Sequence, residues 1–334
     1  MATIYDVSQQ AGVSLATVSR VINNNSNVSE KTRQKVLAAM AALDYRPNTI
    51  AQSLASSCSN SVGVLVSQLD GPYYGPMMAE IEAALRAQNK HVIIAVGHSD
   101  AAVEQDSVEF LLSRGCDALI LDVEAVSDDY LVQLINRSVP VVLINRYIAA
   151  VEPHCIYLDN ELGGYLATRH LVEQGHRSIA YISGPKAKHD ANERLTGHQK
   201  ALAEGGLVFD PALCFEGNYK EEGGELGMLQ LLATGKSFSA LVCANDQMAS
   251  GAIAVCLEKG LRIPQDLSVV GYDNVPFAKY ISPKLTTVNN PIHEMGKMAA
   301  FWVLKQVYQT ADTQVSSVFI PELVIRGSVL PYQP

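Results

Sequence analysis

Short apolar runs alternate with amphipathic helical segments along most of this 334-residue chain. Short apolar runs bounded by turn residues are typical of strands buried on both faces, and helices between them form the crossovers of a parallel sheet. The pattern predicts an α/β fold with two similar parallel-sheet halves, the first ending near Asp159. The predicted strands are Val62–Val66, Val92–Val96, Ala118–Leu121, Val141–Ile144, Ile156–Leu158, Ile179–Ile182, Ala240–Cys243, Ser268–Gly271 and Leu285–Val288. The predicted helices are Met77–Gln88, Val103–Ser113, Tyr130–Arg137, Gly163–Gln174, Glu193–Glu204, Gly224–Leu232, Met248–Lys259 and Ile292–Val307.

The loops that follow the predicted strands are the candidate binding region, because ligands of such sheets bind beyond the carboxyl ends of the strands. These loops carry tyrosines, neutral amides and a few charged groups. That combination suits a sugar ring, whose faces stack on aromatic side chains while its hydroxyls need hydrogen-bond partners. The residues concerned are Asp70, Pro72, Tyr73, Tyr74, Asn145, Arg146, the segment Lys186–Arg194, Tyr219, Asn245, Asp246 and Asp273.

Several of these side chains also have a structural interpretation. Arg146 and Arg194 are equally well explained as ion pairs that bridge elements. Tyr73 is expected to pack rather than contact a ligand, because adjacent side chains of an extended loop point apart. Asn245 and Asp246 follow a strand and precede a helix, and we expect Asp246 to be the N-cap and Asn245 to bind.

The first 23 residues read as two short helices joined by a tight turn at Gly12. Thr3 and Ser14 are candidate N-caps, and apolar residues at helical spacing form a small core between the helices. The outward face of the second helix carries short polar groups, one Arg and small apolar side chains, which suit base edges and thymine methyls in a DNA major groove. An ordinary surface helical hairpin fits the same pattern. The candidate DNA contacts are Thr3, Ser14, Leu15, Ala16, Thr17, Ser19, Arg20 and Asn23.

A third helix is predicted after Ser29 and closes a three-helix headpiece that ends at Arg46. Its apolar face is expected to consist of Val36, Leu37, Met40 and Leu43. The whole chain has a net charge of −9, which alone argues against a nucleic-acid partner. Residues 1–60, however, contain five Lys and Arg against three Asp and Glu, a net charge of +2. A mildly basic headpiece on an acidic body suits double-stranded DNA at one end of the molecule.

The chain resembles the LacI/GalR family of bacterial transcription regulators, and the resemblance covers its whole length. The motifs are DVSQQAGVSLATVSRVIN, VSEKTRQKV and YRPNTIAQSLA, which together are far more specific than a lone helix–turn–helix. The resemblance implies that Leu15 and Ala16 choose the operator sequence and that Arg20 contacts a base.

The segment Asn48–Ala55 follows the headpiece and is barely two turns long, so as an isolated helix it is marginal in water. The resemblance implies that it is a hinge helix that orders on operator DNA, with Asn48 and Leu54 as DNA contacts. Leu54 matches a leucine wedged into the minor groove, where such a wedge unstacks a base step and bends the duplex. The alternative is that Leu54 closes the linker against the core.

In the body, the resemblance implies an effector cleft between two Rossmann-like halves of the periplasmic-binding-protein type. Within the family, the resemblance is strongest to the galactose repressor subgroup, in the stretches VSLATVSRVINNN, PVVLINRYI, CIYLDNELGGYLATRHLVEQGH and SPKLTTVNNP. One departure is Leu15, where that subgroup usually has Val, and it leaves the operator preference open. Another is the variable loop Ser183–Glu193, which leaves the identity of the sugar open. The residues that match positions lining the effector cleft are Tyr74, Asn145, Asn192, Arg194, Tyr219, Asn245 and Asp273.

These observations predict three parts of the chain. Residues 1–46 form the DNA-binding headpiece, residues 47–60 the hinge helix and linker, and residues 61–334 the effector-binding and dimerisation domain. The first half of that domain comprises residues 61–159 plus 291–320, and the second comprises residues 160–288 plus 321–334. The chain ends after the strand-like VFIPELVIRGSV without a heptad tail, which favours a homodimer over a tail-built tetramer.

The sequence contains no motif of a common enzyme class. There is no G-x-S-x-G, no Walker loop and no dinucleotide-binding loop, so an enzyme is not expected. The six cysteines and the histidines have no metal-ligand spacing, and we expect neither a metal nor another cofactor. Without a signal peptide or an apolar run of membrane length, the protein is expected to be cytoplasmic and nucleoid-associated, with no membrane partner.

The sequence therefore predicts a homodimeric repressor that binds operator DNA and is controlled by a small sugar, first of all galactose or a galactoside. One alternative is a purine or phosphosugar co-repressor, for which Lys186 and Lys188 would supply positive charge. The other is a sugar-binding protein without gene control.

Overall fold

The computed structural model describes residues 2–22, 27–46, 58–137, 139–310 and 314–333. The chain divides into two compact units, residues 1–60 and 61–334, here called the headpiece unit and the body. The predicted hinge segment and the candidate DNA contacts Asn23, Asn48 and Leu54 lie outside the described residues.

The described residues of the headpiece unit form three helices, α1 (Ile4–Ala11), α2 (Leu15–Ile22) and α3 (Glu30–Ala42). Helix α1 begins with a capping box, in which Thr3 accepts from the Asp6 backbone N–H and the Asp6 carboxylate accepts from the Thr3 N–H. Gly12, at φ 63°, ends that helix in the left-handed conformation that glycine adopts without strain. Ser29 caps α3 by accepting from the Thr32 N–H.

Valines fill the core of the headpiece unit. Val7, Val18, Val21 and Val36 are buried there, as the helical spacing predicts. The prediction that Leu37 belongs to this core is wrong, because its side chain is 45% exposed and Ala39 is buried instead. Residues 36 and 39 lie on one face of a helix, whereas residue 37 is rotated about 100° away from residue 36.

In its described ranges, the body contains two six-stranded sheets. The first has the order β11-β5-β4-β3-β1-β2, and every neighbouring pair is parallel. The second has the order β12-β10-β9-β8-β6-β7, in which β12 alone runs antiparallel to its neighbour. The strands are β1 (Ser61–Val66), β2 (His91–Val96), β3 (Ala118–Leu121), β4 (Val141–Ile144), β5 (Cys155–Leu158), β6 (Ile179–Ser183), β7 (Cys214–Glu216), β8 (Ala240–Cys243), β9 (Ser268–Asp273), β10 (Thr286–Asn289), β11 (Val318–Phe319) and β12 (Glu322–Val324).

Eight α-helices connect these strands, and each corresponds to a predicted helix. Most begin two to four residues earlier than predicted, because their first residues lack the apolar period from which the predictions started. The helices are α4 (Tyr74–Arg86), α5 (Ala101–Ser113), α6 (Asp128–Ile135), α7 (Asn160–Glu173), α8 (His189–Glu204), α9 (Glu221–Ala233), α10 (Asp246–Glu258) and α11 (Ile292–Gln306). In the described ranges, no helix has the length and apolar character needed to cross a membrane.

The chain passes between the sheets at three places. It crosses from β5 into α7, from β10 into α11, and between the short strands β11 and β12. Helix α11 follows a strand of the second sheet but packs on α4, β4 and β5 of the first. These crossings join the two halves of the body and bring the carboxyl ends of both sets of parallel strands to one cleft.

Candidate functional site

A cavity of about 380 Å³ lies between the carboxyl ends of the two sheets. Its size is within the range of small-molecule sites in proteins. From the first half of the body it is lined by Gln68, Asp70, Gly71, Pro72, Tyr73, Tyr74, Asp122, Val123, Glu124, Asn145 and Arg146. From the second half it is lined by Asn160, Lys188, His189, Asp190, Arg194, Asn218, Tyr219, Lys220, Glu221, Glu222, Asn245, Gln247 and Asp273.

Six of the seven predicted effector residues line this cavity. They are Tyr74, Asn145, Arg194, Tyr219, Asn245 and Asp273. The exception is Asn192, which is exposed on α8 and donates from Nδ2 to the backbone oxygens of Lys186 and Lys188. Asp190 lines the cavity in its place, because two residues on a helix point to nearly opposite sides. We therefore correct the assignment of Asn192.

Arg194 connects several elements of the second half of the body at the cavity. Its Nε donates to Asn160 Oδ1 at 2.9 Å and its Nη1 donates to the backbone oxygen of Ala244 at 2.7 Å. The guanidinium also stacks 3.9 Å from the centre of the Tyr272 ring. Nη2 lies 3.3 Å from Asp190 Oδ2. Arg194 therefore bridges elements, as the structural interpretation expects, and it also lines the cavity. Its contact with an effector stays a prediction.

Three residues of the site have left-handed backbone conformations. These are Asn145 at φ 60°, Tyr219 at φ 65° and Asp273 at φ 97°. Asn and Asp adopt this region with little cost, whereas a bulky residue such as Tyr rarely does. Tyr219 is therefore the strained residue of the three, and strain of this kind persists only where the surrounding structure holds a side chain in place.

The two tyrosines after β1 both face the cavity. Tyr73 precedes α4 with helical backbone angles and Tyr74 is its first residue, so the loop is not extended as the sequence analysis assumed. The rings meet edge to face, with centroids 5.1 Å apart. The Tyr73 hydroxyl accepts from Asn145 Nδ2 and from Asn290 Nδ2, each at 3.1 Å. Tyr73 thus combines packing with a position on the cavity wall.

Asn245, and not Asp246, is the capping residue, and Asp246 does not line the cavity. Asn245 is the N-cap of α10, because its Oδ1 accepts from the Met248 N–H, and its Nδ2 donates to the backbone oxygen of Tyr219. Asp246 is fully buried and accepts from Thr287 Oγ1 at 2.6 Å and from the Val275 N–H. The prediction that Asp246 caps the helix is therefore wrong.

Two buried polar atoms at the cavity have no hydrogen-bond partner among the described residues. They are Asp122 Oδ2 and Arg146 Nη1. Burial, and secondly the neighbouring Glu124 carboxylate, raise the pKa of Asp122 to about 8. Polar atoms buried without a hydrogen-bond partner are energetically costly. Asp122 and Glu124 were not among the predicted site residues, although they follow β3 at the same sheet edge as the predicted ones.

Every Lys and Arg that lines the described cavity lies close to a carboxylate. The cavity also has more carboxyl groups than cationic groups in its lining. The pairs are Lys188 Nζ–Glu124 Oε2 at 2.7 Å, Lys220 Nζ–Asp70 Oδ2 at 3.6 Å, Arg146 Nη2–Asp128 Oδ1 at 2.7 Å, and the Arg194–Asp190 pair described above. The site is thus rich in hydrogen-bonding groups but contains little uncompensated positive charge.

In the headpiece unit, the predicted DNA contacts divide into caps and an outward face. Thr3 is engaged in the capping box of α1, and Ser14 Oγ accepts from the Thr17 N–H and lies 2.9 Å from Thr17 Oγ1. Ala16, Ser19 and Arg20 are exposed, while Leu15 and Thr17 are half-buried. The opposite face of α2 is closed by buried Val18 and Val21, so the polar face of that helix points away from the core.

Comparison with known proteins gives matches in both units. Residues 3–48 match the model of bacterial regulatory proteins of the lacI family, and residues 168–329 match a periplasmic binding protein-like domain. The HTH-type transcriptional regulator GalR of Escherichia coli (strain K12) is 39% identical over 329 residues, covering 98% of this chain and 96% of the relative. The HTH-type transcriptional repressor PurR of Glaesserella parasuis is 34% identical over 340 residues, covering 98% of both. The crystal structure of a lac repressor dimer bound to operator and an anti-inducer superposes with a TM-score of 0.87 at 32% identity, covering 98% of this chain and 99% of that one.

Proposed function

Because this chain belongs to the LacI family of bacterial transcription regulators, we propose that it is a homodimeric repressor whose operator affinity is controlled by a small neutral sugar. The sugar binds in the cavity between the two halves of the body, and D-galactose or a galactoside is the first candidate. Similarity to GalR favours galactose. Similarity to PurR, at 34% identity, supports the alternative of a purine effector, and experiment must distinguish the two.

Operator binding is assigned to the headpiece unit. The exposed side chains of α2, with Arg20 among them, supply the base contacts, and the hinge residues Asn48 and Leu54 are proposed to engage the minor groove. Two copies read a near-palindromic operator, because the two-fold symmetry of a dimer matches the two-fold symmetry of such a site. The proposal of a dimer is supported by the likeness to the lac repressor dimer.

The observation that carries the effector assignment is the pairing of charges around the cavity. A neutral sugar needs aromatic faces and many hydrogen-bond partners but no free cation. The rings of Tyr73, Tyr74 and Tyr219 and the amides of Asn145 and Asn245 meet that need.

The same observation counts against a purine or phosphosugar co-repressor. That alternative relied on Lys186 and Lys188 as cationic groups. Lys188 is instead paired with Glu124, and Lys186 is exposed, paired with Glu216 and not part of the cavity lining. Burying an anion among seven carboxyl groups without a free cation carries a large electrostatic penalty.

In the proposed mechanism, the sugar draws the two halves of the body together. This change moves the hinge segments of the dimer so that they no longer order on DNA. Control of this kind requires that the sugar bind the DNA-incompetent conformation more tightly than the DNA-bound one. A coupling free energy of about 1–3 kcal/mol would change operator affinity roughly 5–150-fold.

A thermal-shift screen tests the effector assignment. The purified full chain is heated with a panel of monosaccharides, galactosides, purines and sugar phosphates, and each hit is then added to an operator gel shift. A ligand of the folded state raises the melting temperature by mass action. We expect D-galactose or a galactoside to raise it and to release DNA. If only a purine or sugar phosphate does so, the neutral-sugar assignment fails.

The variant Asp273→Ala locates the response in the cavity. It should keep the operator affinity of the parent and lose the response to the sugar, because Asp273 lines the cavity and lies outside the headpiece unit. Asp106→Asn, an exposed change on α5, serves as the control and should respond like the parent. Equal release of DNA from Asp273→Ala and the parent would contradict the assignment.

A further inference from the structure

Glu104 is a buried carboxylate that the cavity does not include. It lies in the first turn of α5 and is 1% exposed. Its Oε1 accepts from the backbone N–H of Glu124 at 2.9 Å and of Ala125 at 3.2 Å. Its Oε2 accepts from the N–H of Ala125 and of Val126, each at 2.9 Å. Glu104 therefore binds three successive N–H groups of a segment 20 residues away.

This arrangement has a clear physical basis. A carboxylate taken out of water is costly unless hydrogen bonds replace its hydration, and charge-assisted bonds to backbone N–H groups are among the stronger ones. Consecutive N–H groups that converge in this way form a concave anion site. Gly97 leaves room for the side chain, since a Cβ at that position would lie 2.5 Å from Glu104 Cγ.

The segment that Glu104 holds, residues 122–127, forms one rim of the cavity. Asp122, Val123 and Glu124 line it. Glu124 Oε2 accepts from Ser99 Oγ at 2.5 Å and pairs with Lys188 Nζ at 2.7 Å. Lys188 directly precedes α8 in the second half of the body, so this ion pair bridges the cleft. Both side chains are largely buried, at 17% and 21% exposed, which weakens screening by solvent.

We propose that Glu104 is a positioning residue for the effector cleft: it clamps residues 122–127 so that Glu124 meets Lys188 across the cleft. Glu104 does not contact the effector and acts through the rim it holds. The clamp is a property of the free protein, and only its effect on sugar affinity rests on the function proposed above.

Hydrogen–deuterium exchange of the full chain without ligand tests the clamp. In Glu104→Gln, an NH2 group replaces one of the two carboxylate oxygens. The N–H groups of residues 124–126 therefore lose an acceptor. We expect exchange at residues 122–127 to become about tenfold faster or more, the range of local opening when charged hydrogen bonds are lost. Exchange at residues 186–190, across the cleft, should also rise. Glu109→Gln, an exposed change on the same helix, is the matched control and should exchange like the parent.

A second variant separates the clamp from the ion pair. Glu124→Gln keeps the backbone N–H groups that Glu104 binds but removes the charge that Lys188 meets. It should raise exchange at residues 186–190 and leave residues 124–126 protected. If exchange at residues 122–127 is the same in Glu104→Gln as in the parent, the clamp is excluded. If exchange rises at residues 122–127 but not at residues 186–190, the effect of the clamp across the cleft is excluded. If Glu104→Gln does not fold, Glu104→Asp, which keeps the charge on a shorter side chain, is subject to the same criteria.

Calorimetric titration with D-galactose then measures the consequence for the cleft. Glu104→Gln should bind the sugar about tenfold more weakly than the parent, with operator affinity unchanged. Equal sugar affinity in variant and parent overturns the positioning role. If the parent itself binds neither D-galactose nor another sugar of the panel, the proposed function fails, while the exchange results still decide the clamp.

Discussion

Asp122 is a carboxyl group that its surroundings hold protonated near neutral pH. The side chain is 4% exposed, and its Oδ1 accepts a long hydrogen bond of 3.4 Å from Asn145 Nδ2 while Oδ2 has no partner among the described residues. Burial, with the Glu124 carboxylate as the second cause, raises its pKa to about 8. In the unfolded chain an Asp titrates near pH 4. Between those two values the folded protein binds one proton more than the unfolded chain.

This proton makes stability depend on pH in a predictable direction. Stability falls as pH rises wherever the folded state binds the extra proton, so the contribution of Asp122 is greatest below about pH 4 and is lost by about pH 8. Asp122→Asn removes the dependence. The unfolding free energy of the variant minus that of the parent should rise by up to ~1.4 kcal/mol per pH unit between these limits.

Urea unfolding at several pH values, followed by the fluorescence of the single tryptophan, Trp302, measures this difference. Asp106→Asn, an exposed carboxyl on α5, is the control, and its difference from the parent should stay flat. A flat difference for Asp122→Asn as well would show that Asp122 ionises normally in the folded protein.

Among the elements, two pairs of helices cross with their backbones in contact. A Cβ at Gly164 of α7 would lie 2.0 Å from the backbone oxygen of Arg194 in α8, and a Cβ at Gly197 of α8 would lie 1.9 Å from that of Glu161 in α7. Gly224 and Gly251 repeat this reciprocal arrangement between α9 and α10. The first crossing fixes the position of α8, the helix that carries Arg194 at the cavity.

Gly197→Ala should therefore disturb both stability and the cleft. The added methyl group must push α8 away from α7, and overpacking of this kind typically costs about 1–3 kcal/mol. We expect a lower midpoint of urea unfolding together with weaker sugar binding, because Arg194 moves with the helix. Gly75→Ala is the matched control, since its Cβ would meet nothing within 4 Å and alanine favours a helix. Parent-like stability of Gly197→Ala would contradict the close crossing.

At the scale of the whole molecule, the proposed function requires that sugar binding in the body change the affinity of the headpiece unit for operator DNA. The two units have separate cores, and the candidate contacts to DNA and to the effector lie in different units. Thermodynamic linkage then requires that coupling be reciprocal: if the sugar weakens operator binding by some factor, operator DNA weakens sugar binding by the same factor.

Titrations of D-galactose into the free protein and into the protein saturated with operator duplex test this relation. With a coupling of about 1–3 kcal/mol, the sugar affinity should fall roughly 5–150-fold on the operator complex. The factor should equal the loss of operator affinity at saturating sugar. A duplex of scrambled sequence is the control. Sugar binding that is equal with and without operator would exclude control through the cleft.

Local signals in the sequence were sufficient to predict the architecture. The order of strands and helices, the caps Thr3 and Ser29 and the turn at Gly12 follow from apolar periodicity and backbone preferences over a few residues. Strand β7 was not predicted, and β11 and β12 were indicated only as the single strand-like stretch VFIPELVIRGSV, because two or three residues carry no period and are strands only through the neighbours they pair with. In such folds, the loops that follow the carboxyl ends of the strands lie together at one edge of the sheet. Most residues of the candidate site could therefore also be predicted.

What only the tertiary structure decided is which side chains meet. The true start of α8 at His189 turned Asp190 toward the cavity and Asn192 away from it. Burial made Asn245 a cap and Asp246 an internal anchor, and the packing of α5 brought Glu104 to residues 124–126. These outcomes depend on helix phase and on contacts between distant segments. The sequence by itself determined the elements and the edge at which they present polar groups, because those depend on local periodicity, whereas partners, burial and charge pairing depend on three-dimensional packing.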